Sequence, residues 1–259
     1  MEVGFSTPLL EMFQRGEVPR EVRLIAAQGE LALRAHERIA LLVLLAGDAD
    51  AEVASAADAT LRALPDAEVA GWLARSDVPE RIRAFFAARG VEPASGAGED
   101  GPSGEPGGDA EDDNGGSEGS EDGKEQQSLV QRIAAMTVAQ RVVRAMKGTR
   151  EERAILIRDP NKLVSIGVLS SPKLTETEVE SIAKMANVSE DVLRIIGRTR
   201  AWMKTYTVAV SLAKNPKTPV ATSMNILPRL MDKDLRMISI DRNVPEVLRI
   251  AARRKLLAE

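Results

Sequence analysis

The 259-residue chain is 44% apolar, enough to build a core, and contains no cysteine, which excludes disulfides, thiolate metal sites and a cysteine nucleophile. Aromatic residues make up only 3%, and Ala, Leu, Ile, Val and Arg dominate, a composition that favours helices over strands. The formal net charge of −4 conceals a segregation: residues 1–92 carry 10 Lys/Arg against 15 Asp/Glu, residues 93–127 carry 1 against 11, and residues 128–259 carry 24 against 13. The start Met1-Glu2-Val3-Gly4-Phe5 lacks the basic and apolar regions of a secretory signal. The longest apolar run, Ile39 to Ala46, is far shorter than a membrane span. The expectation is a soluble, cytoplasmic protein with no membrane partner.

In chain order, residues 1–91 read as a helical N-terminal domain. Glu17-Val18-Pro19 leads into the apolar-periodic segment Glu21 to Ala27, and Asp77-Val78-Pro79 leads into Arg81 to Ala88. Between them, helices are expected from Glu30 to Ala46, from Ala51 to Leu64 and from Asp66 to Ala74. Residues 92–127 have almost no large apolar side chain and are rich in Gly, Pro, Ser, Asp and Glu. Such a stretch cannot bury enough surface to offset its ordering entropy, so it is expected to be a disordered acidic linker.

Residues 128–259 carry an internal period. Asp159, Asn187, Asn215 and Asn243 begin similar short turns 28 residues apart, and five positions later stand Val164, Val192, Val220 and Leu248. Apolar spacing within each unit is helical, as in Val192, Ile195 and Ile196. Thr149 with Glu152, Thr175 with Glu178, and Asn243 with Glu246 have capping-box spacing. Thr218-Pro219 reads as a cap before a proline at the first helical position. Each unit is therefore expected to be a helix pair too small to bury its own apolar faces, so that the units stack. The segment Leu129 to Met146 reads as a shorter capping unit. The fold class expected is all-α: an α-solenoid of helix pairs with a repeat of about 28 residues, a smaller repeat-like helical block before it, and the acidic linker between.

The turn followed by Val-Arg on a second helix resembles the short HEAT-like repeats of bacterial proteins, of which the phycobilisome-lyase type is the familiar example. Asp77 with Arg83 and Asn243 with Arg249 match that pattern, and Asn187 with Arg194 matches with a one-residue offset. Asp159 and Asn215 keep the turn without the arginine. The resemblance implies a curved scaffold for protein binding and implies no chemistry.

Signals for catalysis are sparse. His36 is the only histidine and lies within an expected helix, where a structural role outweighs a metal or catalytic one. No phosphate-binding loop, dinucleotide fingerprint, zinc-protease or serine-hydrolase motif is present. Asp112-Asp113-Asn114-Gly115 resembles part of a calcium loop but lacks its glutamate spacing and flanking helices. Neither a cofactor nor a metal is expected, and the chain reads as a binding module rather than an enzyme. Some HEAT-like proteins resemble DNA glycosylases that hold a lesion with tryptophans and an aspartate. Trp202 and Tyr206 are expected on one helix face, more as core and groove filler than as a base-stacking platform, with no aspartate beside them in sequence.

The basic residues carry the functional expectation. Arg158, Lys214 and Arg242 immediately precede turn positions, with Lys162, Lys184 and Lys217 nearby, and these are expected to form a ridge along the turns. Arg194 and Arg198, with Arg200 and Lys204 after them, form a second cluster. A further group, Arg249 and Arg253 to Lys255, lies near the C-terminus. The partner expected is an acidic protein. The other anions open to this surface are nucleic acid and the chain's own acidic linker.

Overall fold

The computed structural model describes residues 7–76, 78–94 and 121–258, and all regular structure among them is helical. Among the described residues no helix is long and apolar enough to cross a membrane. The chain divides into two compact units, Met1–Ala139 and Gln140–Glu259. Most of the stretch expected to be a linker, residues 95–120, lies outside the described residues. Its last part is helical: a helix runs from Glu121 to Ala134, beginning before the expected end at residue 127. Lys124 to Gln127 are good helix formers continuous with the periodic segment that follows, which explains the earlier start.

In the first unit α1 spans Pro8–Gln14, α2 Arg20–Ala27, α3 Ala35–Leu45, α4 Ala51–Arg62, α5 Asp66–Leu73 and α6 Glu80–Ala87. The sequence reading missed α1, which the Thr7 side chain caps ahead of Pro8. Helix α3 is central: Ile39, Leu41, Leu42 and Leu45 are buried, and α1, α2, α4 and α6 all pack on it. It starts at Ala35 rather than Glu30. Gly29 adopts φ +75° and closes α2 with its N–H on the Ala26 carbonyl and that of Glu30 on Ile25. A left-handed residue there stops the helix, and the chain must turn before α3. Both Val-Pro starts are realised with the proline itself in the cap position. Pro19 and Pro79 precede α2 and α6, their carbonyls accept the N–H groups three and four residues on, and Val18 and Val78 are buried. Asp77 lies outside the described residues.

The helix at Glu121–Ala134 is α7 and Val138–Lys147 is α8. Four pairs follow. Their first helices are α9 (Arg150–Leu156), α11 (Glu176–Lys184), α13 (Tyr206–Lys214) and α15 (Asp232–Ile240). Their second helices are α10 (Lys162–Leu169), α12 (Glu190–Arg198), α14 (Val220–Ile226) and α16 (Glu246–Ala258). First helices begin at residues 150, 176, 206 and 232, spacings of 26, 30 and 26, while second helices begin at 162, 190, 220 and 246, spacings of 28, 30 and 26. The 28-residue period is thus an average. The long unit contains an extra turn, the 3-10 segment Trp202–Lys204, and Trp202 and Tyr206 therefore do not share one helix.

Aligned on helix starts, core positions coincide. Val179, Ala209 and Leu235 are buried at the fourth position of α11, α13 and α15, and Ile182, Leu212 and Ile238 at the seventh. In the second helices Ile196, Ile226 and Ala252 share the buried seventh position. Val164, Val192 and Leu248 are buried at the third position of their helices as expected, but Val220 is 41% exposed because the longer preceding unit shifts α14 by two residues and leaves Val220 at its first position. Helix α11 packs on α13, α13 on α15, α10 on α12 and α14 on α16.

The capping boxes at Thr149 and Thr175 form. The capping box read at Asn243 and the cap read at Thr218 do not. Asp241 makes the last turn, accepting from the Asn243 N–H at 2.9 Å, and Pro245 directly precedes α16. Pro219 occupies the cap of α14, and the buried Thr218 hydroxyl finds no partner. Proline at the cap moves the threonine out of reach of the first helical N–H groups.

Polar contacts join successive first helices. Arg153 stands at the fourth position of α9, where the other first helices place an apolar core residue. Its guanidinium is 6% exposed and meets the equally buried Glu178 carboxylate of α11 at 2.8 and 2.9 Å, with its third nitrogen donating to the Gly148 carbonyl at 2.9 Å. Glu178 also accepts the Thr175 N–H of its own capping box at 3.0 Å. Between α11 and α13, Thr205 and Thr207 donate to Glu176 and Glu180 at 2.9 and 2.7 Å. Between α13 and α15, Tyr206 and Lys214 donate to Asp234 at 2.7 and 2.9 Å, and the Tyr206 oxygen accepts from the Met231 N–H at 3.0 Å.

Two outcomes follow for stability. Arg153→Ala strands a buried carboxylate and should destabilise the chain by about 3–5 kcal/mol in urea unfolding. The double variant Arg153→Met, Glu178→Gln should recover most of that loss, and equal losses in the two would show that the charge pairing is immaterial. Burial acts to raise the Asp234 carboxyl, but the hydrogen bonds from Tyr206 and Lys214 outweigh it and hold it below its ordinary value of 3.8. A depressed carboxyl contributes stability that is complete above the unfolded-state value and fades as pH falls through the folded-state one. The stability gap between the native chain and Asp234→Asn should therefore be flat near neutrality and close below about pH 4, as read from urea midpoints.

Candidate functional site

Helix α12 ends at Arg198, and the lengthened connection from Thr199 to Thr205 carries the chain into α13. Across from it, α14 approaches so closely that a Cβ on Gly197 would stand 2.4 Å from the Thr222 methyl. Any larger residue there would force the Thr222 side chain or the helices to shift. An open groove of about 440 Å³ lies along this crossing. Arg194 and Arg198 of α12, Arg200 of the connection and Arg229 of the 3-10 turn Leu227–Arg229 all line it, with apolar surface from Met203 and Ile226. No carboxylate lines it.

The four arginines are held differently. Arg229 donates to the Met203 carbonyl at 2.7 Å, which ties the 3-10 turn after α14 to the one before α13. Arg194 is shared between Asp191 at 2.5 Å and Glu190 at 2.6 Å on its own helix. Arg198 and Arg200 are exposed and make no ion pair or side-chain hydrogen bond among the described residues. A guanidinium presents a planar fork of donors that matches a carboxylate or phosphate in two places. Two fixed and two uncommitted guanidinium groups therefore line one groove whose donors match the oxygens of an anion, with apolar surface from Met203 and Ile226.

The turn-proximal residues fare differently. Lys162 pairs with Asp191 at 3.2 Å, Lys184 with Glu180 at 2.5 Å and Lys214 with Asp234 at 2.9 Å, while Arg158 spends its Nε on the Ala154 carbonyl at 2.9 Å. Lys217 and Arg242 are exposed in their turns without a side-chain partner among the described residues. Of the eight residues read from the sequence as partner-binding, the groove gathers only Arg194 and Arg198. Arg200, already placed in the second cluster, joins them, whereas Lys204 does not line the groove. Arg229 had no sequence signal, because it comes from the next repeat and is brought in by the crossing of α12 and α14.

Tyr206 has the carboxylate neighbour that its flanking sequence does not provide, since Asp234 reaches it from α15. Both oxygens of Asp234 and the phenol are occupied in joining α13 to α15. His36 is half-buried near the start of α3. Among the described residues no group of three or more His, Cys, Asp or Glu is placed to hold a metal ion. The residues of the calcium-loop fragment, 112–115, lie outside the described residues. Neither family models, nor curated proteins, nor solved structures give a match to this chain.

Proposed function

We propose that the C-terminal unit is a HEAT-like α-solenoid acting as a non-enzymatic scaffold, and that its arginine groove holds an acidic segment of a partner protein. The helix pairs support the solenoid half of this reading. Their buried positions recur in register, and like helices pack on like in successive pairs, as stacked repeats do. The groove is the observation that carries the binding half: four arginines, no carboxylate in the lining, and three of the guanidinium groups, those of Arg198, Arg200 and Arg229, without a counter-ion among the described residues.

Between the two anionic polymers, an acidic peptide fits better than nucleic acid. No aromatic ring lines the groove to stack on a base, and Tyr206 is committed to Asp234. The apolar floor suits side chains that alternate with carboxylates, whereas a phosphate backbone would leave it bare. The turn lysines, mostly neutralised by neighbouring carboxylates, then contribute to solubility and long-range attraction more than to contact.

The test uses the full chain with fluorescent poly-glutamate and a short DNA duplex as probes, titrated across a salt series. Poly-glutamate should bind in a salt-sensitive way. Arg198→Glu with Arg200→Glu should weaken it by about tenfold or more, since each lost charge-assisted contact is worth on the order of 1.4 kcal/mol or above. Lys184→Glu should have little effect. Tighter binding of the duplex, or a charge reversal without effect, would overturn the reading.

A further inference from the structure

The second-helix surface changes character across three successive pairs. At the fifth position of α12, α14 and α16 stand Arg194, Met224 and Ile250. At the first two positions, α12 has Glu190 and Asp191, α14 has Val220 and Ala221, and α16 has Glu246 and Val247. Val220, Met224, Val247 and Ile250 are 41%, 37%, 58% and 41% exposed. The rows are physically adjacent: α14 meets α12 at the Gly197–Thr222 contact and packs directly on α16. An exposed aliphatic strip therefore begins where the arginine groove ends. Along α16 it continues from Val247 to Ile250, and Arg254 stands on the same face between Ile250 and the 87% exposed Leu257.

Scattered exposed aliphatics need no explanation, but a strip across two packed helices does. Cations outnumber acids around it, with Glu190 and Asp191 paired to Arg194 and Glu246 at the start of α16. Arg194, Arg198, Arg200 and Arg229 lie on the α12 side, and the exposed Arg254 on α16 occupies the register of Arg198. A second copy of the chain meeting this strip face to face would bring like-charged borders together. A partner with acidic borders and an apolar centre would not. Met224 adds an unbranched, polarisable contact that adapts to varied aliphatic partners.

We propose that this surface receives an amphipathic helix of a partner protein, whose apolar face lies on Val220, Met224, Val247 and Ile250 and whose acidic flank reaches the arginine groove. The proposal rests on the reading of the groove as an anion site and adds the apolar half of the ligand. Burial of aliphatic side chains supplies the affinity, and the arginines orient the helix and fix which of its edges faces α12.

The test uses the full chain and three synthetic peptides of about 16 residues, long enough to form a helix on binding. The first has leucines at i, i+3, i+4 and i+7 spacing with glutamates on one flank; the second replaces leucine by serine; the third replaces glutamate by glutamine. Fluorescence anisotropy should rank the first well above the other two. Met224→Ser with Ile250→Ser alters only exposed side chains and should weaken the first peptide by about tenfold, leaving poly-glutamate binding unchanged. Arg198→Glu with Arg200→Glu should weaken both. Equal binding of the first two peptides, or no effect of the serine variants, overturns the apolar strip while the groove reading stands. Loss of poly-glutamate binding, with the first and third peptides bound equally, overturns the groove and with it the oriented helix. A dimer in analytical ultracentrifugation that the serine variants dissociate would assign the strip to a second copy and overturn the proposal.

Discussion

Arg153 occupies a position that the later first helices fill with Val179, Ala209 and Leu235, and the C-terminal unit accommodates it through one buried ion pair with Glu178. A charge taken out of water is tolerated only if its partner and its hydrogen bonds are complete. Here the guanidinium is met by both carboxylate oxygens and by the Gly148 carbonyl, and the carboxylate also accepts the N–H of its capping threonine. The capping box that starts α11 thus also fixes where α9 lies against it. Helices of seven to nine residues are too short to persist alone, so such contacts help decide how they pack.

The same economy governs the later pairs. Thr205 and Thr207 reach back to α11, and Tyr206 and Lys214 reach forward to Asp234. Helices α11 and α13 are each tied to the next first helix, while the apolar fourth and seventh positions of α11, α13 and α15 carry the core. Variation in unit length falls in the helices as well as in the connections between pairs. The lengthened connection between α12 and α13 holds Arg200 and Met203, and both line the groove. A departure from the repeat thus produces the feature that distinguishes this unit.

Net charge alone is a poor guide to where that feature lies. The basic excess of residues 128–259 is large, yet much of it is compensated locally, as at Lys162, Lys184 and Lys214. What matters for binding is the cation without an internal counter-ion beside a surface that can bury something. Arg198 and Arg200 meet that condition beside Met203 and Ile226. The proposed reading of the protein therefore rests on a local absence of carboxylates rather than on the sum of charges.

The sequence by itself determined the helical class, the Val-Pro starts, the capping boxes at Thr149 and Thr175 and the approximate repeat. All of these are set by residues within one helical turn of each other or by apolar spacing along one helix. It misplaced the caps at Thr218 and Asn243 and the start of α3, where a neighbouring proline, an aspartate two residues earlier or a left-handed glycine competes with the simpler motif. Only the tertiary structure decided that Arg153 is buried, that Asp234 meets Tyr206 and that Arg229 completes the groove. Those residues lie in different repeats from their partners. Packing between helices, which no local pattern encodes, brings them together.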